Sequence, residues 1–184
     1  MFSNKRIFKK REKMKKIVFI ILVTIFCSKA FSFEIKTNFS NGEPIPKEHA
    51  CKSKGGEDLS IPVEFKNIPE NTKSFALIID DPDAVPVAGK IWVHWVVIDI
   101  PPSNTKLEPT KKGKLDFGLI ATNSGGYKGY QGMCPPNGKH VYRIKGYALN
   151  EMIKKKPRQF TIRGFEKKYK ELILESFLVT GTYK

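Results

Sequence analysis

A histidine lies in the middle of a strongly apolar segment that follows a turn rich in carboxylates. The segment Ile91–Ile98 contains His94, and its Val, Ile and Trp residues favour a β-strand. The turn Asp80-Asp81-Pro82-Asp83 ends an earlier apolar segment, Phe75–Ile79, because neither a strand nor a helix continues easily through it. We therefore expect an imidazole close to several carboxylates.

Side chains alternate along a strand, and this alternation predicts which residues accompany His94. One face would carry Trp92, His94, Val96 and Ile98, and the other Val93, Trp95, Val97 and Asp99. A histidine within a strand is more often structural than functional, because one backbone carbonyl is enough to satisfy it. This segment alone therefore does not define a site.

A second segment of similar character follows about forty residues later. In the strand predicted over His140–Leu149, alternation places His140 and Tyr142 on one face. The preceding loop, Gly129–Gly138, contains prolines that stiffen it and glycines that let its backbone approach a ligand. An imidazolium, a phenol hydroxyl and loop amides suit one small anion. Such a pocket would bind a small anion weakly, with a dissociation constant of roughly 1 µM to 1 mM.

The charge of the chain is concentrated at its N-terminus. The 184 residues carry a formal charge of +15 and are 40% hydrophobic, which suits one domain with a core. Residues 1–32 hold nine Lys or Arg and one acid, so the excess does not indicate nucleic-acid binding. Basic residues nearer the C-terminus form either a solvated surface or a peripheral contact with an anionic membrane. They are Lys154–Lys156, Arg158, Lys167, Lys168 and Lys170.

The N-terminus has the three parts of a secretory signal peptide. Met14-Lys15-Lys16 is basic, and Ile17–Cys27 is apolar but too short to span a membrane. Small residues then fit cleavage after Ala30 or Ser32. We therefore predict a signal peptide over residues 1–32, with Met14 as an alternative start, and export of the domain 33–184 to the periplasm or the exterior.

Two cysteines, Cys51 and Cys134, remain in the exported domain. An even count in an exported protein permits a disulfide. A bridge over this separation would remove about 4 kcal/mol of unfolded-chain entropy. The alternative is two free buried thiols, and the sequence leaves both open.

The other segments predict a mainly β fold. Further short strands are expected at 33–39, 60–65, 119–123 and 177–183. One helix is expected over Gly164–Ser176, because Phe165, Tyr169 and Leu172 recur at helical spacing. Many short strands and one late helix are typical of a β-sandwich with a peripheral C-terminal helix.

Four short motifs occur in a fixed order along the chain. They are Asp81-Pro82-Asp83-Ala84, Trp92-Val93-His94-Trp95, Gly132-x-x-Pro135-Pro136 and His140-x-Tyr142. Together they resemble the phosphatidylethanolamine-binding family, which includes Raf kinase inhibitor protein, and especially its small bacterial branch. The flanking Ser60-Ile61-Pro62 and Gly181-Thr182-Tyr183 agree with this resemblance, which covers residues 35–184.

The resemblance implies a Greek-key antiparallel β-sandwich with a small pocket for phosphate or a phospholipid head group. It implies a non-enzymatic binding protein, and no cofactor or metal is expected. Some relatives inhibit other proteins, and for an exported chain a protease is a better target than a kinase. The residues that it places at the pocket are Asp81, Asp83, Trp92, His94, Gly132, Pro135, Pro136, His140 and Tyr142.

The chain departs from the family pattern at three positions. Val85 and Met133 stand where the family has proline, and Val141 stands where it has arginine. Arg143 lies two residues further on, and the sequence does not decide whether it makes the equivalent ion pair.

Two other interpretations of the Asp/His residues remain. A hydrolase built from Asp81, His94 and His140 lacks a nucleophile, because no Gly-x-Ser-x-Gly motif occurs and Ser124 has only proximity in its favour. Two histidines and an aspartate can also hold zinc, although no His-x-His spacing supports this.

Overall fold

The computed structural model describes residues 32–155 and 158–184, which form two antiparallel β-sheets. The smaller sheet has the strand order β1-β2-β5 and the larger has the order β6-β4-β3-β7-β8. The strands are β1 (Glu34–Lys36), β2 (Val63–Lys66), β3 (Ser74–Asp81), β4 (Trp92–Ile100), β5 (Lys106–Leu107), β6 (Leu119–Ile120), β7 (His140–Leu149) and β8 (Ile173–Tyr183). The predicted fold class, a mainly β antiparallel sandwich with a C-terminal helix, is confirmed.

Among the described residues, two short α-helices and four 3₁₀ turns connect the strands. Helix α1 (Val85–Ala88) follows the 3₁₀ turn Pro82–Ala84, and helix α2 (Ile162–Tyr169) precedes the 3₁₀ turn Lys170–Leu172. The other 3₁₀ turns are Lys47–His49 and Lys52–Lys54. None of the helices among the described residues has the length and apolar character to cross a membrane.

The predicted helix over Gly164–Ser176 has the wrong bounds. The hydroxyl of Thr161 accepts the amide of Gly164 at 3.1 Å, and this N-cap starts α2 at Ile162. From Ile173 onward the chain is a strand instead, because it pairs with β7 along almost its whole length. Strand pairing here outweighs the helical spacing of the apolar residues.

Strand β3 is buried on both faces of the larger sheet, which explains its nearly continuous apolar sequence. On the inner face the rings of Phe65 and Phe75 stack with centroids 4.3 Å apart between the two sheets. On the outer face α2 covers the sheet, and the ring of Phe165 packs 4.8 Å from that of Tyr147.

A β-bulge in β4 breaks the alternation expected around His94. Ile79 pairs with Trp95 and Asp80 pairs with Val93, so His94 is the extra residue. His94 lies beside Tyr142 and Trp95 lies in the core between the sheets, whereas Val96 packs in the outer core. The expectation that Val96 and Ile98 share the face of His94 is therefore wrong.

Asp80 connects three elements on the outer face of the larger sheet. Its carboxylate is fully buried and accepts two hydrogen bonds from Arg143, at 2.7 and 2.9 Å. It also accepts the amide of Ile162 at 3.0 Å, at the start of α2. Arg143 thus makes a partly buried ion pair that connects β7 to β3.

The predicted signal peptide lies almost entirely outside the described residues, because the structure describes the chain only from Ser32. The domain from Ser32 to Lys184 forms one compact unit.

The Asp80→Ala substitution should lower the free energy of unfolding by about 3 to 5 kcal/mol, because it leaves Arg143 unpaired in a partly buried position. Urea denaturation followed by circular dichroism measures this loss. Glu171→Ala removes an exposed ion pair with Lys170 and serves as the control, which should unfold like the wild type. Equal stability of both variants would show that Asp80 does not hold the elements together.

Candidate anion-binding site

Asp81 organises the turn at the end of β3. One carboxylate oxygen accepts the amide of Asp83 at 2.9 Å and so caps the 3₁₀ turn. The other oxygen accepts a hydrogen bond from Nδ1 of His140 at 2.7 Å. Both side chains are buried, with 3% of Asp81 and 5% of His140 exposed. The pair therefore fixes the imidazole of β7 against the end of β3.

Asp83 has a structural role in this turn. Its Oδ2 accepts the backbone amide of Val141 at 2.8 Å, which ties the turn to β7. It does not line the cavity described below, so its predicted place at the pocket needs correction. The exposed carboxylate accepts a backbone donor of the neighbouring strand instead.

His94 is held by one ring nitrogen only. Its Nδ1 donates to the carbonyl oxygen of Gln131 at 2.8 Å, and its ring lies edge-on to Tyr142 with centroids 5.2 Å apart. Within the described part of the chain, neither Nε2 of His94 nor the hydroxyl of Tyr142 has a hydrogen-bond partner, and both atoms are buried. Leaving a buried polar group unpaired costs about 1 to 3 kcal/mol, so two at one place make this a candidate binding site.

Burial changes the ionisation of both side chains. It lowers the pKa of His94 below 6.5, because desolvation outweighs the carbonyl of Gln131 and the nearby Asp81 and Asp80, which favour the charged ring. It raises the pKa of the Tyr142 phenol, and the charges of Asp81 and Asp83 add to this. Near neutral pH the site therefore contains a neutral imidazole and an intact hydroxyl.

His49 shows how a structural histidine of this chain differs from His94. It is also buried, but both of its ring nitrogens have partners: Leu59 O at 2.9 Å and the Asn38 amide nitrogen at 2.9 Å. His94 is equally buried but only half satisfied.

These side chains surround a cavity of about 480 Å³ at one end of the larger sheet. Seven of the nine residues predicted for the pocket line it, together with Ala84, Val87, Ala88, Gln131, Cys134 and Asn137. The seven are Asp81, Trp92, His94, Pro135, Pro136, His140 and Tyr142. Among the lining residues there is no lysine or arginine.

Gly132 does not line the cavity, which corrects the second predicted position. Its amide donates to Asp58 at 3.1 Å. A Cβ atom here would come within 2.6 Å of the backbone of Ala50 and Cys51, so glycine is needed for the close packing of two loops.

A disulfide joins Cys51 to Cys134 at the rim of the cavity. Next to it, the amide of Cys51 donates to the carbonyl of Met133 at 3.0 Å. The loop that carries Pro135 and Pro136 is thus attached to a distant part of the chain, and this attachment positions one wall of the cavity.

Gln131 is a site residue that sequence reasoning missed. Its carbonyl accepts from His94, and its side-chain oxygen accepts from the indole nitrogen of Trp92 at 3.0 Å. Its own amide donates to the carbonyl of His94 at 3.0 Å. One residue therefore orients two side chains of the cavity. Its only signal in the sequence was its place directly before the motif that begins at Gly132.

Together, the fold and the cavity define a β-sandwich binding domain. The family model for phosphatidylethanolamine-binding proteins matches residues 35–184, and the chain belongs to this family. A UPF0098 protein from Methanothermobacter thermautotrophicus is 39% identical over 127 residues, which is 67% of this chain and 80% of that protein. The UPF0098 protein YbcL from Escherichia coli is 36% identical over 145 residues, covering 72% and 78% of the two chains.

Solved structures agree with this assignment. A phosphatidylethanolamine-binding protein homologue from Chlamydia trachomatis superposes with a TM-score of 0.71 at 29% identity, over 83% of this chain and 97% of that one. The crystal structure of Escherichia coli YbcL also gives a TM-score of 0.71, at 25% identity and over 84% and 99% of the two chains.

The double variant Cys51→Ala/Cys134→Ala should lose about 4 kcal/mol of unfolding free energy, because the bridge closes a long loop in the unfolded chain. Urea denaturation with and without dithiothreitol measures this loss. Reductant should destabilise the wild type to a similar extent and leave the double variant unchanged. A double variant as stable as the oxidised wild type would contradict the prediction.

The Gln131→Leu substitution should release Trp92 without affecting Trp95, since only the Trp92 indole loses its acceptor. The chain has two tryptophans, so two indole N–H signals are expected in a ¹H–¹⁵N spectrum. The Trp92 signal should shift and exchange faster with solvent, while the buried Trp95 signal stays in place. An unchanged Trp92 signal would show that Gln131 does not orient this side chain.

Proposed function

We propose that this chain is an exported, non-enzymatic binding protein whose cavity takes phosphate or a phospholipid head group. The observation that carries the proposal is the pair of buried, unpartnered polar atoms at the cavity, Nε2 of His94 and the hydroxyl of Tyr142. The Asp81–His140 pair lies beside them and adds a second imidazole. A ligand rich in oxygen atoms would satisfy all of these groups at once.

The composition of the cavity supports binding without catalysis. The lining residues include no serine or threonine hydroxyl, and the thiol of Cys134 is bonded to Cys51. Ser124, the hydroxyl considered for a hydrolase, accepts the amide of Val93 and does not line the cavity. Among the described residues, no group of three or more His, Cys, Asp or Glu is arranged to hold a metal ion.

Two features support export. The N-terminal sequence has the basic and apolar parts of a signal peptide. The disulfide between Cys51 and Cys134 is typical of an oxidising compartment, such as the periplasm or the exterior.

The rim of the cavity can contact more of a ligand than its charged group. Val87 of α1 is half exposed and lines the cavity, and Val85 beside it is also exposed. An alkyl part of a ligand, or the surface of a protein partner outside the cytoplasm, would add apolar contact here. The proposal therefore includes binding of a head group together with part of its larger carrier.

Replacing His140 should weaken phosphate binding by about tenfold or more, since a charge-assisted hydrogen bond contributes roughly 1.5 to 3 kcal/mol. Isothermal titration calorimetry or ³¹P NMR on His140→Ala measures the change. His140→Asn is a second variant, because its amide can still donate to Asp81 while the second ring nitrogen is removed.

The exposed variant Lys167→Ala is the control and should bind phosphate like the wild type. Circular dichroism verifies that all the variants fold. Unchanged phosphate affinity in both His140 variants would remove the cavity as the binding site.

A further inference from the structure

A groove of about 540 Å³ lies beside the edge strand β6 and shares no lining residue with the cavity described above. Two further segments, 111–114 and 128–129, complete its lining. The lysines among these residues, all of them exposed, are Lys111, Lys112, Lys114 and Lys128. Within the described part of the chain, no acidic or aromatic residue lines the groove. Its surface therefore presents charge of one sign.

These four lysines are not neutralised by acidic side chains. Among the described residues, the lysines that form ion pairs belong to a different set, namely Lys36, Lys66, Lys106, Lys145 and Lys170. Like charges gathered at one place repel each other, so this arrangement works against the stability of the free protein. An anionic partner would remove the repulsion when it binds.

Backbone contacts hold the two lysine-bearing segments against each other. The amide of Tyr130 donates to the carbonyl of Lys112 at 2.7 Å, and the amide of Lys112 donates to the carbonyl of Asp58 at 2.9 Å. A Cβ atom at Gly129 would come within 2.4 Å of the same Lys112 oxygen, so glycine is needed for this close approach. The fold thus brings Lys112 and Lys128, from separate segments, to one groove.

Lys112 occupies a strained backbone position. Its φ is +56°, in the left-handed region that costs free energy for a residue with a Cβ atom and none for glycine. Its ammonium group lies over the ring of Tyr127, 5.4 Å from the ring centroid, which restricts where the charge can point. Backbone strain of this kind is concentrated at functional sites, and here it places an oriented positive charge in the groove.

We propose that the groove is a second binding site, which takes a linear acidic polysaccharide. One exposed ammonium group contributes little to the binding of one anion, so four of them suit a polymer that carries repeated carboxylate or sulfate groups. This choice of partner rests on the proposed export, because polysaccharides are the main acidic polymers outside the cytoplasm. The site itself is independent of the cavity.

The lining of the groove favours a polysaccharide over other polyanions. Single-stranded nucleic acids bind by stacking their bases on aromatic side chains, which this lining lacks. Peptides need apolar anchors in pockets, and the apolar side chains here are limited to Leu119 and Ile120. A flat bilayer reaches only the rim of a concave surface. The three lining glycines, in contrast, let a polymer lie close to the backbone.

Isothermal titration calorimetry with heparin and polygalacturonate tests the proposal. Both acidic polymers should bind, whereas neutral dextran should not. The double variant Lys112→Gly/Lys128→Gln should bind them roughly tenfold more weakly at about 50 mM salt. The slope of log K against log salt concentration should also fall in magnitude by about one to two, because two charges are lost. Glycine adopts the backbone conformation of Lys112 without strain, so this variant should fold.

The matched control is Lys167→Gln/Lys184→Gln, which removes the same charge elsewhere. Lys167 lies on α2, and Lys184 follows β8, the edge of the larger sheet opposite β6. This control should keep the affinity and the salt slope of the wild type. Inorganic phosphate should bind equally to the wild type and both double variants, because none of these substitutions touches the cavity.

Equal affinity of the two double variants for the acidic polysaccharides would overturn the groove as their site, and so would a wild type that binds neither polymer. A DNA duplex or phosphatidylglycerol vesicles may serve as competing partners in the same titration. Tighter binding of either one through the same lysines would overturn the assignment to a polysaccharide. A wild type that binds the polysaccharides but not phosphate would contradict the proposed function of the cavity and leave the groove site in place.

Discussion

The last two residues of β3 hold the domain together on both faces of the larger sheet. Asp80 and Asp81 are adjacent and buried, and because strand side chains alternate they face opposite directions. Asp80 binds Arg143 and the start of α2 on the outer face, whereas Asp81 binds His140 and the 3₁₀ turn on the inner face. Buried carboxylates are tolerated only when they are fully bonded, so the elements around them have little freedom. The cavity exists because this end of the sheet is fixed from both sides.

Much of the fold follows from the sequence alone, since its strongest signals are local. Strand β7 has the predicted bounds His140–Leu149, and the long apolar segment of β3 predicted a buried central strand. Boundaries set by long-range pairing could not be predicted: apolar residues recur at helical spacing from Phe165 to Leu172, but the chain from Ile173 onward pairs with β7. The bulge at His94 is also invisible in the sequence, because it depends on how β4 aligns with its neighbour β3.

The sequence predicted which residues lie at the candidate site, but not the hydrogen bonds that connect them. The motifs indicated side chains from distant segments, and seven of the nine line one cavity. The sequence could not separate groups that face a ligand from groups that support them, because Asp81 and Asp83 belong to the same motif. Their difference comes from the partners that the fold supplies: His140 for the first and a backbone amide of β7 for the second. Gln131 was missed for a related reason, since two of its three contacts use the backbone.

The chain is strongly basic, yet no lysine or arginine lines the cavity. These two facts are compatible, because surface charge acts on an anion at long range and the cavity side chains act on it only at hydrogen-bond distance. Residues 33–184, which remain once the predicted signal peptide is removed, hold 24 Lys or Arg and 17 Asp or Glu, and this net charge of +7 creates a field that attracts anions toward the surface, whatever their chemical type. A lysine in the cavity would extend this general attraction into the site and would bind sulfate and phosphate alike. Neutral hydrogen-bonding groups instead respond to where an anion carries its protons, because an unmatched lone pair in a buried site costs free energy.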